Sequence, residues 1–463
     1  MHFGRSNAEH GHTRHDVDMT QGSVFRHLLY FALPLLAGNI FQQLYNTVDT
    51  WVVGNYVSNE AFSAVGTVTP IINTLIGFFM GLSSGAGVVI SQYYGARKFD
   101  KVEQAVHTSI ALTAVLSVVF TIIGISMTPY MLRFMKTPPE VFVESSAYLT
   151  IYFSGMVGLL FYNMGAGILR AMGDSRRPLI FLIITCVSNI LLDLLFVVVL
   201  SWGVAGAALA TTLAQAVSAV AVVICLCRLS PDIRLRFSQL KMKAQLLGRI
   251  LAIGVPAGLQ YVTFDLTNLL VQSGINSFGA VTMAAWTAFG KADGLTWMIT
   301  GAFGVAVATF VGQNYGARRY DRIRKSVWVC LGMCAGILAA LSALELPIRR
   351  YLLGFFTTDA DVVRVGAYAM LWIVPFNLLF SPVVVFGDTM RGTGWSAVPT
   401  GITMACICGF RVLWVMTVVQ RFHTLEMLCL VYPLSWLLAS VVFYITYLRG
   451  RWLRIPPEET ENE

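Results

Sequence analysis

Two acidic residues fall where an apolar chain would not be expected to carry them. Asp49 lies in NTVDTWVVGNY (46–56), at the end of an apolar run that begins near Phe25, and Asp193 lies in NILLDLLFVVV (189–199). If these runs cross a bilayer, each carboxylate costs about 2.5–3.5 kcal/mol on insertion scales, and such residues usually mark ion paths. Their neighbours share the chemistry. Tyr45 precedes Asp49 by four residues and Asn189 precedes Asp193 by four, so each pair occupies one helix face. Thr211 adds a hydroxyl within GVAGAALATTLAQ (203–215). Carboxylate, amide and hydroxyl oxygens can replace the water around a bare Na⁺, and a close pair of carboxylates can equally hold or exchange a proton. Two plainer readings stay open at this point: a structural hydrogen bond, or a position at the water interface.

Other polar residues lie in apolar surroundings. Gln42, Tyr45, Asn46 and Asp49 on the first run, with Asp265 in YVTFDLTNLL, are candidate substrate contacts. Lys291 and Asp293 in AFGKADGL are close enough to pair with each other, and Asp388 is one turn from Arg391, a spacing that predicts a local ion pair. Arg411 has no partner nearby in sequence.

The elements that must position these groups are membrane helices. Of 463 residues, 56% are hydrophobic and 12% charged, whereas soluble domains carry about 25% charged residues. A spanning helix needs about 20 mostly apolar residues. Such runs occur near 25–51, 61–93, 103–127, 141–169, 178–200, 204–227, 247–275, 280–312, 326–346, 362–389, 397–419 and 425–447. The short alternating segments of a β-barrel are not seen. Twelve spans place both termini on one side. That side holds 24 Lys and Arg against 6 on the other, which predicts a multi-pass protein of the plasma membrane with cytoplasmic termini. The net charge of +8 is therefore topological, and a nucleic-acid partner is not expected. The eight cysteines read as small apolar packing residues. Residues 1–23, with His2, His10, His12 and His15, form a polar tail without a cleavable signal. GLSSG (81–85) formally matches G-x-S-x-G, but inside a membrane span it lacks the strand–turn–helix context an enzyme would need.

The chain is one unit written twice. QYYGARKFDK (92–101) returns as QNYGARRYDR (313–322), and LRAMGDSRRP (169–178) aligns with MRGTGWSAVP (390–399), both at an offset of 221; Pro34 and Pro256 pair at 222. The expected organisation is a tail at 1–23, an N-lobe at 24–228 with six spans, a linker at 229–246, a C-lobe at 247–448 with six spans, and a tail at 449–463. Two parallel repeats around a cleft are a plan for alternating access. Gly77, Gly81 and Gly85 form a face for close helix packing. Pro34 removes a backbone bond in the first span and should let it bend. Moving Asp49, Asn189 and Asp193 by 221 reaches Leu270, Phe410 and Trp414, so only the N-lobe carries the polar set.

Taken together, the twelve spans, NTVDTWVVG, the two GAR loops and LRAMGD/MRGTG resemble the multidrug and toxic compound extrusion (MATE) family over nearly the whole chain. The resemblance implies an all-α membrane protein with two pseudo-symmetric six-helix lobes around a central cleft. It also implies a secondary active antiporter, not an enzyme. Such an antiporter exports amphipathic, often cationic drugs in exchange for H⁺ or Na⁺ and needs no cofactor; a monomer is expected. In the DinF-like branch the coupling cluster corresponds to Asp49, Asn189, Asp193 and Thr211, which would be the ligands if the ion is Na⁺, with Tyr45 and a bending proline at Pro34. The NorM-like branch adds C-lobe acids at positions that count here to Phe264 and Phe380, which disfavours C-lobe coupling; Asp265 is one residue from the first. A flippase for a lipid-linked saccharide, from the same wider superfamily, is the alternative. Such flippases line their cleft with arginine, and this cleft reads as poor in it.

Overall fold

The computed structural model describes residues 18–453 apart from 58 and 136. His2, His10, His12 and His15 lie outside the described residues. The described residues are helical nearly throughout, with no strand among them. Six spans form the first lobe: α1 (Val24–Tyr56), α2 (Asn59–Gly95), α3 (Phe99–Phe134), α4 (Pro139–Ser154 and Met156–Ala171, bent by 48°), α5 (Arg176–Val199) and α6 (Gly203–Cys227). Six more form the second: α7 (Ala244–Asn276), α8 (Ala280–Ala292 and Gly294–Gly316), α9 (Tyr320–Gly354), α10 (Ala360–Gly392), α11 (Ala397–Phe422) and α12 (Leu425–Leu448). All twelve apolar runs become helices. Several outlast their run, as α3 does relative to 103–127. Hydropathy marks only the lipid-facing middle of a helix, whereas the backbone keeps its internal hydrogen bonds beyond it.

Each lobe has its own core, but the leading helices are exchanged. Val24, Leu28, Phe31 and Ala32 of α1 belong to the C-lobe core, among Phe303, Phe310 and Val327. Val52 and Val53 of the same helix belong to the N-lobe core. Conversely Leu246, Ile250 and Ile253 of α7 enter the N-lobe core, while Val271 and Ile275 pack with Val415 and Leu428. Pro34 and Pro256 lie near these crossings, and both helices continue through them.

Small residues permit the crossing. The most extensive helix pairing is α2 with α7. There Gly81 lies against the backbone of Gly258, and a Cβ at Gly85 would come within 2.5 Å of the Ile250 carbonyl and 2.6 Å of the Gly254 nitrogen. The glycine face read on α2 thus meets a second glycine face, Gly254 and Gly258, on α7.

The lobes also meet at the end of the bundle that carries both termini, and they do so by the repeat symmetry. Gln92 donates from Nε2 to the Gly392 carbonyl (3.0 Å), and Gln313 donates to the Ala171 carbonyl (2.9 Å). Donors and acceptors are each 221 residues apart. Gly95 lies against the Gln313 carbonyl and Gly316 against that of Gln92. In the two GAR loops the left-handed turn is made by Arg97 and Arg318 (φ 57° each), so the glycine serves close approach and not the turn. In the other repeated loop, Gly173 and Gly394 do take positive φ, at 93° and 96°.

Candidate functional site

The polar residues of α1, α5 and α6 converge within the N-lobe. Asn189 and Asp193 are fully buried, Thr211 and Asp49 nearly so. Asn189 donates from Nδ2 to the Thr211 hydroxyl at 3.3 Å. Asp49 and Asp193 lie within electrostatic reach of each other, which brings the first and fifth spans together at their acids. The chain after Asp193 widens into a π-helical turn, Leu194–Val199. Its counterpart Val415–Val419 follows Trp414, the repeat equivalent of Asp193. The wide turn is therefore a property of the repeat unit, and only the N-lobe copy places an acid before it. At the matching C-lobe positions Phe410 and Trp414 stack at 5.5 Å, and Leu270 is half exposed.

Several oxygens of the cluster have no hydrogen-bond partner among the described residues: Asp49 Oδ1, Asn189 Oδ1 and both carboxylate oxygens of Asp193. A buried acceptor without a donor is costly, by about 1–3 kcal/mol and more when charged. Such a set suits a cation or a proton. No group of three or more His, Cys, Asp or Glu able to hold a metal ion occurs among the described residues. A Na⁺ here would have two carboxylates, one amide and one hydroxyl, a hard-oxygen donor set of suitable type.

Three further groups belong to the cluster and escaped the reading of the sequence. Gln215 on α6 lies beside the hydroxyls of Tyr45 and Tyr152. Tyr148, stacked on Tyr152 at 6.2 Å, lies within electrostatic reach of both acids. The signal was present: Tyr148–Tyr152 and Thr211–Gln215 repeat the four-residue spacing that identified Tyr45–Asp49.

Two neighbouring cavities lie in the bundle, the first of them beside the cluster. One of about 110 Å³ lies within the N-lobe, lined by Pro34, Asn39, Gln42, Tyr45, Tyr162 and Gln215 among others. The other, of about 340 Å³, lies between the lobes. Phe264, Trp297 and Phe380 form its aromatic wall, with ring centroids at 6.2 and 5.1 Å on either side of the tryptophan. The two positions that could have carried C-lobe coupling acids are thus a wall. Met80 and Arg170 line both cavities. Of the candidate substrate contacts, Gln42 and Tyr45 line the N-lobe cavity, while Asn46, Asp49 and Asp265 are absent from both linings. Asp265 lies instead beside Gly77 of α2, one turn from Tyr261 of the central cavity.

Two expectations are corrected. Lys291 and Asp293 form no pair: Lys291 is exposed, and the buried Asp293 accepts from Asn377 Nδ2 at 2.8 Å, with Thr296 beside them. Side chains two residues apart on a helix do not face each other, and the amide from α10 is invisible from α8. Glu345, also buried, lies within electrostatic reach of Asp293 and was likewise not identified. The cleft is also not poor in arginine, because Arg170 and Arg391 both line it. They were counted with the loops because each closes an apolar run. The ion pair of Asp388 with Arg391 is present. Arg411 is fully buried without a carboxylate partner among the described residues. Its guanidinium faces the rings of Tyr432 (4.4 Å), Phe264 (5.7 Å) and Trp436 (6.0 Å), and its Nε donates to Ser435.

The MatE family model matches residues 34–195 and again 256–416. A relative named "Probable multidrug resistance protein YoeA" from Bacillus subtilis is 30% identical over 437 residues, covering 92% of this chain and 94% of the relative. The multidrug export protein MepA of Staphylococcus haemolyticus is 22% identical, covering 81% and 82%. Among solved structures, an outward-facing multidrug resistance MATE family transporter of the MOP superfamily superposes with a TM-score of 0.87 at 22% identity, over 95% of this chain and 99% of that one.

Proposed function

The chain belongs to the MatE family of multidrug transporters, and from that premise we propose that it is a cation-coupled antiporter exporting amphipathic organic compounds, cationic ones among them. The observation that carries the coupling reading is the set of partnerless buried oxygens on Asp49, Asn189 and Asp193. H⁺ or Na⁺ entering that set offsets the burial of the acids. The same helix, α1, lines the N-lobe cavity through Asn39, Gln42 and Tyr45. Drug in the cavity and ion at the acids would then favour different shapes of α1 around Pro34. A ligand shifts such an equilibrium only by its differential affinity for the two states. With the basic surplus facing the cytoplasm, the termini-bearing end, where the two glutamines join the lobes, faces inward.

Efflux of a cationic dye from reconstituted vesicles tests this, first under an imposed Na⁺ gradient and then under a pH gradient. Asp49→Asn and Asp193→Asn should each abolish gradient-driven efflux while leaving the amount of folded membrane protein unchanged. Normal efflux in either variant would refute the assignment. A second reading, a flippase for a lipid-linked saccharide, draws on one observation, the two arginines of the central cavity. Movement of a lipid-linked precursor without movement of the dye would favour it.

A further inference from the structure

We propose that the central cavity is a binding site for the anionic end of amphipathic organic molecules, with Arg170 as the group that receives it. The proposal rests on the exporter reading and adds a ligand class and a residue to it. Arg170, Asp388 and Arg391 are the charged residues of the lining, so the cavity is net positive by one charge. The two arginines are repeat equivalents, 221 residues apart, but their surroundings differ. Arg391 is engaged: Nη1 pairs with Asp388 and Nη2 donates to Gln260 at 3.0 Å. The N-lobe position equivalent to Asp388 is Gly167, so duplication leaves Arg170 without the acid that neutralises Arg391. The titratable groups near Arg170 are two phenols, Tyr162 and Tyr261. A Cβ at Gly167 would lie 3.8 Å from Arg170 Nη2 and against the Ser83 hydroxyl; the glycine leaves that approach open.

A guanidinium binds a carboxylate, sulfonate or phosphate through parallel N–H donors, and Arg170 is partly buried where it lines the cavity. The rest of the cavity fixes the other end of the ligand. Phe264, Trp297 and Phe380 offer a flat aromatic wall, and about 340 Å³ exceeds what an inorganic anion fills. The ligand is therefore an amphipathic anion or zwitterion with a planar apolar body. A lone organic cation at the same point meets net positive charge, and its subsite is the N-lobe cavity near the acids. Because Arg170 lines both cavities, it stands between the two subsites.

The test compares three probes with the same ring system, 2-naphthalenesulfonate, neutral 2-methylnaphthalene and 2-naphthylmethylammonium, by equilibrium dialysis against the full chain in neutral detergent. The sulfonate should bind about tenfold or more tighter than the cation, the range of one hydrogen-bonded charge. Arg170→Gln should lose that margin, and Arg170→Lys should keep most of it. Asp388→Asn should bind the sulfonate several-fold tighter, a gain that misfolding cannot imitate. Unchanged sulfonate binding in Arg170→Gln, a preference for the cation in the native chain, or no gain in Asp388→Asn would each overturn the proposal. Added phosphatidylglycerol distinguishes the source: displacement of the sulfonate assigns the site to a bilayer anion, its absence to a water-borne one, and either result supports an anion site. If the sulfonate margin is absent while dye efflux is normal, the anion site falls and the exporter stands. If the margin is present without dye efflux, the reverse holds.

Discussion

Gln92 and Gln313 are each other's image through the pseudo-two-fold axis between the lobes. Each reaches across it to a backbone carbonyl, Gly392 or Ala171, at about the same distance. Each also keeps its side-chain oxygen occupied: Arg249 donates to Gln92 Oε1 and the Met19 amide to Gln313 Oε1, both at 3.2 Å. Replacing either glutamine by alanine removes a bond and leaves a buried carbonyl unpaired, about 1–3 kcal/mol in favour of separation. Spin labels at the exposed Lys98 and Arg319 should then report a larger share of long distances, with a further increase in the double variant. An unchanged distance distribution would show that the glycine contacts alone hold the seal.

Asn189→Ala and Thr211→Val remove neutral ligands from the proposed cation site but leave both acids. Transport should survive with weaker ion dependence. The ion concentration for half-maximal efflux should rise about tenfold, corresponding to about 1.4 kcal/mol for one lost hydrogen-bond or ligand contact. Loss of transport at saturating ion would instead give these residues a folding role.

Asp293 offers the contrasting case in the C-lobe. Its carboxylate is hydrogen-bonded by Asn377 and sits beside Thr296, and the aromatic wall occupies the counted positions of C-lobe acids, Phe264 and Phe380. Asp293→Asn keeps the shape and a carbonyl acceptor, so dye efflux should stay within about twofold of native, a change under 0.5 kcal/mol. A loss comparable to that of Asp49→Asn would move part of the coupling into the C-lobe.

Arg411 tests how a bare guanidinium survives in the core. Replacing a buried charge by an apolar side chain of similar length is often neutral, whereas removing its partner strands the charge. Arg411→Met should therefore change the melting temperature little, while Tyr432→Leu, which removes the ring at 4.4 Å, should lower it clearly. The opposite order would assign the stabilisation to Ser435.

Gly81→Ala places a methyl group against the Gly258 backbone, and Gly248→Ala places one in open space. Overpacking of this kind costs about 1–3 kcal/mol. Thermal unfolding in detergent should separate the two variants, with only the first destabilised.

The features legible in the sequence were those written along one helix or repeated between halves. Asp49 with Tyr45, Asn189 with Asp193, Asp388 with Arg391 and the twelve spans all depend on local spacing or on local hydropathy. What escaped was set by a second helix. Asn377 decides the fate of Asp293, Tyr432 and Trp436 that of Arg411, and Gly254 and Gly258 complete the face begun on α2. The arginines of the cavity were misplaced for a related reason. Hydropathy treats the end of an apolar run as the membrane boundary, but α4 and α10 carry Arg170 and Arg391 inward of the sealed end, where they face the cleft.

The exchange of leading helices has a mechanical consequence. Because α1 is anchored in one core by Val24–Ala32 and in the other by Val52 and Val53, no rocking of the lobes can leave it at rest. The stretch between the anchors works like a tendon across a joint, and Pro34, Asn39, Gln42 and Tyr45 lie along it. A molecule lodged there reads the angle of the joint directly, and a charge gained or lost at Asp49 pulls on the same cord.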